Sequence, residues 1–102
     1  MPSSTLSASL RLHMVPAGRR LDFAQLPGHY AYVYRRDRNG PWECIAHNAS
    51  SPFIDRTPLP PGAPTEYQLI YHDATGRDTA ATGIVQALPA QLPPATSLLG
   101  LR

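Results

Sequence analysis

The sequence predicts an all-β chain, a seven-stranded antiparallel β-sandwich, and three observations carry that expectation. Apolar and polar residues alternate in short runs, the two-residue period of a pleated strand with one face in a core. Turn-forming residues punctuate those runs about every ten residues, the spacing of sandwich strands. The 12 prolines leave no room for a long helix between residues 16 and 64, since an interior proline costs a helix about 3 kcal/mol. Length adds a bound: 102 residues make one small domain and not two. Neither a heptad repeat nor a three-residue glycine repeat is present, which excludes a coiled coil and a collagen-like chain.

The first expected strand runs from Leu6 to Met14, with Leu6, Ala8, Leu10, Leu12 and Met14 on one face. Pro16-Ala17-Gly18 ends it. Residues 20–24 form a short strand with Leu21 and Phe23 on one side and Asp22 on the other, and Leu26-Pro27-Gly28 turns the chain. His29 to Arg36 is the strongest strand signal, dense in aromatic and β-branched residues. Asn39-Gly40 then marks a hairpin, because both positions tolerate positive φ. On the return strand Trp42, Cys44 and Ala46 alternate with Glu43, Ile45 and His47. Ser50-Ser51-Pro52 is a turn, residues 53–55 a short extended piece, and the prolines of 57–64 make a loop. Alternation returns from Glu66 to His72, with Tyr67, Leu69 and Tyr71 on one face. After the turn at 73–76 the last strand, Thr79 to Leu88, sets Ala80, Thr82, Ile84 and Gln86 against Ala81, Gly83, Val85 and Ala87. The domain thus spans 5–88, and the proline-bearing stretch 89–102 is expected to be an extended tail.

Charge excludes some functions. Nine basic residues, all arginine, face seven acidic ones, and the densest run (Arg35, Arg36, Arg38) is interrupted by Asp37. A nucleic-acid partner calls for a denser basic face, so none is expected. No window approaches the roughly 18 apolar residues of a membrane span, and the first residues lack the charge and apolar pattern of a signal peptide. Cys44 is the single cysteine, which excludes an intrachain disulfide and suits a buried apolar thiol.

Catalytic and metal chemistry find no foothold in the spacing. His13, His29, His47 and His72 fall on different strands, the carboxylates never cluster, and no glycine-rich phosphate loop exists. No catalytic, metal or cofactor residue is therefore assigned, and a non-enzymatic chain is expected. The tyrosine run is the one candidate contact site. In one register Ala31 and Val33 face inward, leaving Tyr30, Tyr32 and Tyr34 as an outer stripe beside Arg36, suited to a protein partner or a sugar ring. A register shifted by one residue buries the tyrosines instead. The sequence alone does not choose.

The order of landmarks resembles the fibronectin type III family across residues 5–88. Phe23 stands where the family usually has tryptophan, and Ala31-Tyr32-Val33-Tyr34-Arg35 is similar to its third-strand phrase. Gly40-Pro41-Trp42, Phe53-Ile54-Asp55 before a Pro-rich loop, and Tyr67 through Gly76 follow in the family's order. Thr65 falls near the usual tyrosine-corner position, so Tyr67 is the candidate for that role. The resemblance implies a non-catalytic interaction or spacer module, bacterial or from a phage, extracellular or virion-associated when part of a cell-surface or phage assembly. The alternative is a carbohydrate-binding module using the tyrosine stripe. A weak homodimer through edge strands is also expected, because Leu6–Met14 and Thr79–Leu88 carry few guarding charges.

Overall fold

The computed structural model describes residues 6–37, 39–59 and 62–88, so the expected tail at 89–102 lies outside the described residues. Those residues form strands and turns with no helix. The strands are β1 (Leu6–Ala8), β2 (Leu10–Val15), β3 (Gly18–Phe23), β4 (His29–Asp37), β5 (Glu43–Ala46), β6 (Phe53–Asp55), β7 (Thr65–Asp73), β8 (Asp78–Thr82) and β9 (Val85–Ala87). One sheet has the order β1-β8-β7-β4-β5, with β9 also paired to β7; the other has the order β2-β3-β6. Every pairing is antiparallel except β1 with β8, which is parallel. The two sheets face each other across one core.

Two breaks raise the expected seven strands to nine. The first run is interrupted at Ser9, where the chain leaves β8 of the large sheet and joins β3 of the small one. One extended segment thereby serves both sheets. The last run breaks at Gly83 and Ile84, and the break reverses which residues point inward. Ala80 and Thr82 are buried before it, Ala87 is buried after it, and Val85 packs on the core. Ile84, which strict alternation places with Ala80 and Thr82, is instead exposed.

The long ladder between β4 and β7, from His29 opposite Asp73 to Asp37 opposite Thr65, is the spine of the large sheet. Tyr67, Leu69 and Tyr71 from β7 meet Val33 from β4 and Leu21 and Phe23 from β3. Each such large side chain taken out of water contributes about 1.5–3 kcal/mol. The hairpin after β4 is looser than a two-residue turn. The Gly40 N–H donates to the Asp37 carbonyl at 2.8 Å, and β5 starts only at Glu43, since Pro41 has no N–H for a ladder.

A bulge between Val33 and Tyr34 then leaves Ile45 unopposed: Cys44 sits across from Tyr34, but Ala46 sits across from Val33. Ala46 therefore turns inward, and His47 turns outward. This corrects the simple alternation expected of 42–47.

Of the two expected edges, one differs from expectation. Thr79–Leu88 is not an open edge, because β8 lies between β7 and β1 and β9 runs against β2. Leu6–Met14 does fall at sheet edges, since β1 is one end strand of the large sheet and β2 one end strand of the small sheet; among the described residues the opposite ends are the short, bulged β5 and the three-residue β6. Short edges and bulges are devices that discourage strand addition.

Candidate functional site on the outer face of the large sheet

Burial decides between the two registers of β4. Ala31 and Val33 are 2% and 0% exposed, whereas Tyr30 is 43% exposed and Tyr32 and Tyr34 are half-buried. The three tyrosines and Arg36 share the outer face of the large sheet. Their neighbours across the ladder are His72, Ile70, Gln68 and Glu66 on β7.

The stripe is packed at both ends of its chemistry. At one end the Arg36 Nε donates to Glu66 at 2.6 Å while its guanidinium lies 4.5 Å from the centre of the Trp42 ring. Charge pairing and cation–π contact hold the arginine flat. Along the strand, the Tyr32 ring stands between two imidazoles, 5.0 Å from His47 in an edge arrangement and 4.2 Å from a tilted His72. His72 is itself tethered, with Nδ1 3.0 Å from an Asp78 carboxylate oxygen. Burial first, then Cys44 and Asp78, pushes the Tyr34 phenol above its ordinary pKa, so it stays a neutral hydrogen-bonding group. Cys44 is half-buried on the same face, its Sγ 3.4 Å from the Ala46 carbonyl, rather than lost in the core.

The sequence pointed to Tyr30, Tyr32, Tyr34 and Arg36, and the sheet brings all four to one face. It gave no sign of His47, Trp42 or His72 as their companions. Trp42 and His47 join through the loose hairpin and the bulge, neither of which leaves a mark in residue periodicity.

A second polar cluster lies between the sheets. Asp55 is 5% exposed and accepts from the Tyr67 hydroxyl at 2.5 Å, Arg35 at 2.9 Å and Arg19 at 3.1 Å. Its other oxygen accepts from the Thr57 hydroxyl at 2.7 Å and the Thr57 N–H at 3.2 Å. Burial would raise the Asp55 pKa, but the bonds from Tyr67, Thr57 and Arg35 outweigh it and hold the group at about 2. Burial and the Asp55 carboxylate push the Tyr67 phenol well up. Tyr67 bonds a side chain on β6, not backbone just upstream, so its geometry is not that of a tyrosine corner.

With every lone pair engaged, Asp55 has none left for a substrate proton. The cavity beside this cluster, lined by Arg19, Arg35, Asp37, Thr57, Pro58 and Thr65, is about 90 Å³. Another of about 230 Å³ lies at the hairpin by Pro41. Both fall below the roughly 300–1,000 Å³ of small-molecule sites. Among the described residues no three His, Cys, Asp or Glu side chains gather as metal ligands. Nor is any helix among the described residues long and apolar enough to cross a membrane. Comparison with protein-family models, curated proteins and solved structures returns no match to this chain.

Proposed function

We propose that the chain is a non-catalytic protein-interaction module of the fibronectin type III kind, and that the outer face of the large sheet is its binding face. One observation carries the proposal: the strand spends Ala31 and Val33 on the core and sets Tyr30, Tyr32 and Tyr34 toward solvent beside Trp42 and Arg36. Tyr, Trp and Arg are the residues that dominate binding energy at protein interfaces. The strand partition supports the family reading. If β1–β2 and β8–β9 are counted as single runs, the first, second and fifth runs form one sheet. The third, fourth, sixth and seventh form the other, an immunoglobulin-like division.

A protein partner is favoured over a sugar by the Tyr32 ring, whose sides are taken by His47 and His72 and so offer no open stacking platform. The glycan alternative then rests on Tyr30 and the half-buried Tyr34. The test pairs affinity capture from the source cells with a glycan array, using the wild-type chain and a Tyr30→Ala/Tyr34→Ala variant. A protein captured by wild type and lost by the variant supports the proposal. Glycan signals lost on Tyr30→Ala favour the alternative, and a protein captured equally by both moves the binding face elsewhere.

A further inference from the structure

The small sheet leaves one long strand open. β2 bonds to β3 on one side and to no described strand on the other. Its six residues include neither proline nor glycine, whereas β1 and β6 have three residues each and β5 has four. Such an edge offers a row of backbone groups to another strand with little to guard it.

Two features of β2 fit each other. Only Pro16 and Ala17 separate Val15 from its partner Gly18, so these two must be a pair that exchanges ladder bonds. Alternation then turns the N–H and C=O groups of Arg11, His13 and Val15 toward β3, and those of Leu10, Leu12 and Met14 toward the open side. The side chains of these last three lie on the core-facing side. Leu10 and Leu12 pack on the core, and Met14 stands opposite buried Arg19. Yet Met14 is 54% exposed.

We propose that β2 pairs antiparallel with β2 of a second copy, joining two small sheets into one about a two-fold axis through Leu12. In this register Leu12 faces Leu12, Leu10 faces Met14, and Arg11 faces His13 of the second copy. All three outward-turned residues exchange bonds, and Leu10 of the second copy covers Met14. Opposed residues share a face, so the competing registers are shifted by whole pleats. The nearest on one side sets Arg11 against Arg11, a like-charge pair. The nearest on the other sets Leu10 against Pro16, which has no N–H to give. The strand thus matches its own sequence read backwards, as a two-fold interface requires, and this selects a second copy over an unrelated strand. Contacts confined to residues 10–14 fall short of the roughly 800 Å² per partner of a stable complex, so the dimer is weak.

The test is sedimentation velocity on the full chain from about 10 μM to about 1 mM, with disulfide trapping to read the register. The expected result is a monomer–dimer equilibrium that Met14→Lys, at an exposed position, weakens at least about tenfold. For trapping, Arg11→Cys and His13→Cys are made singly in a Cys44→Ser background and oxidised with glutathione, apart and mixed. Both sites are exposed, and opposed residues of a pair without ladder bonds lie within disulfide reach. A crosslinked dimer in the mixture, with little in either variant alone, supports the register. Far-UV circular dichroism checks that the variants keep the fold. A monomer throughout the series overturns the proposal, as does a dimer unchanged by Met14→Lys. Crosslinking of either variant with itself as efficient as in the mixture overturns it too.

Discussion

Replacing Asp55 by alanine removes the one carboxylate that joins four donors from both sheets. Arg19 on β3 has a side chain only 5% exposed, and without Asp55 its charge is left with the Tyr67 hydroxyl, the Thr57 hydroxyl and the Thr57 carbonyl. Breaking a buried ion pair from one side costs about 3–5 kcal/mol, because the surviving charge stays buried. Arg35 lies at the wet end, 18% exposed and still bonded to Glu43, which places the loss at about 3 kcal/mol. A domain of this size has about 4–12 kcal/mol in total, so the variant should unfold at far lower denaturant. Urea titration followed by the fluorescence of Trp42 reads this directly. With a slope of about 1 kcal/mol per molar, the midpoint should fall by about 3 M. Glu43→Gln, at a 67% exposed side chain, should cost under about 0.5 kcal/mol. A loss below about 1 kcal/mol for Asp55→Ala would refute the claim that this cluster ties the sheets together.

The same group sets an acid limit. Its pKa is about 2 in the fold against 3.8 unfolded, so about 2 kcal/mol of stability is present above pH 4 and lost as pH falls toward 2; urea midpoints against pH should show that loss, and Asp55→Asn should flatten it. Tyr71→Phe deletes the hydroxyl that donates to the Ala24 carbonyl at 2.8 Å, and thermal unfolding should register about 1 kcal/mol. Gly18→Ala should lose more than about 2 kcal/mol by the same urea assay, since the new Cβ meets the Asp55 carbonyl at a position with φ of +147°. Thr82→Val strips the Leu69 N–H of its 3.0 Å acceptor inside the core; a loss of about 1–3 kcal/mol is expected, with faster exchange of the Leu69 amide.

The legible part of the fold follows from period two. Tyr67, Leu69 and Tyr71 were placed on one face by alternation, and that face is the core. What alternation cannot register is the residue that breaks it. Ser9, Ile45 and the Gly83–Ile84 pair are ordinary residues in the sequence, yet each changes sheet, register or parity. The tyrosine stripe stayed ambiguous for a related reason. Alanine inside and tyrosine outside inverts the usual assignment of size to burial, and it is resolved by the larger buried residues beside them on β7, Tyr71 opposite Ala31 and Leu69 opposite Val33. Arg19 shares the inward face of Leu21 and Phe23, a place where a charge is unexpected until its bonds to Tyr67, Thr57 and Asp55 are in view.

The position of the charged cluster has a consequence for the proposed binding face. Asp55 and Arg19 belong to the small sheet, Tyr67 and Arg35 to the large one, so their bonds cross a gap between sheets that is filled elsewhere mainly by apolar packing, with one further bond from the Tyr71 hydroxyl to the Ala24 carbonyl. Directional bonds fix how the sheets slide and rotate against each other, which non-directional apolar contact does less well. The side chains that make those bonds alternate with the ones that face out: Arg35 beside Tyr34 and Arg36, Arg19 beside Arg20, Asp55 beside Ile54 and Arg56. The β4 strand thus carries proposed binding residues on one side and, in Arg35, an anchor on the other. A change that loosens the cluster should therefore weaken contacts at that face without touching its surface, because the spacing of the tyrosines across from β7 is set by strands that the cluster holds in place.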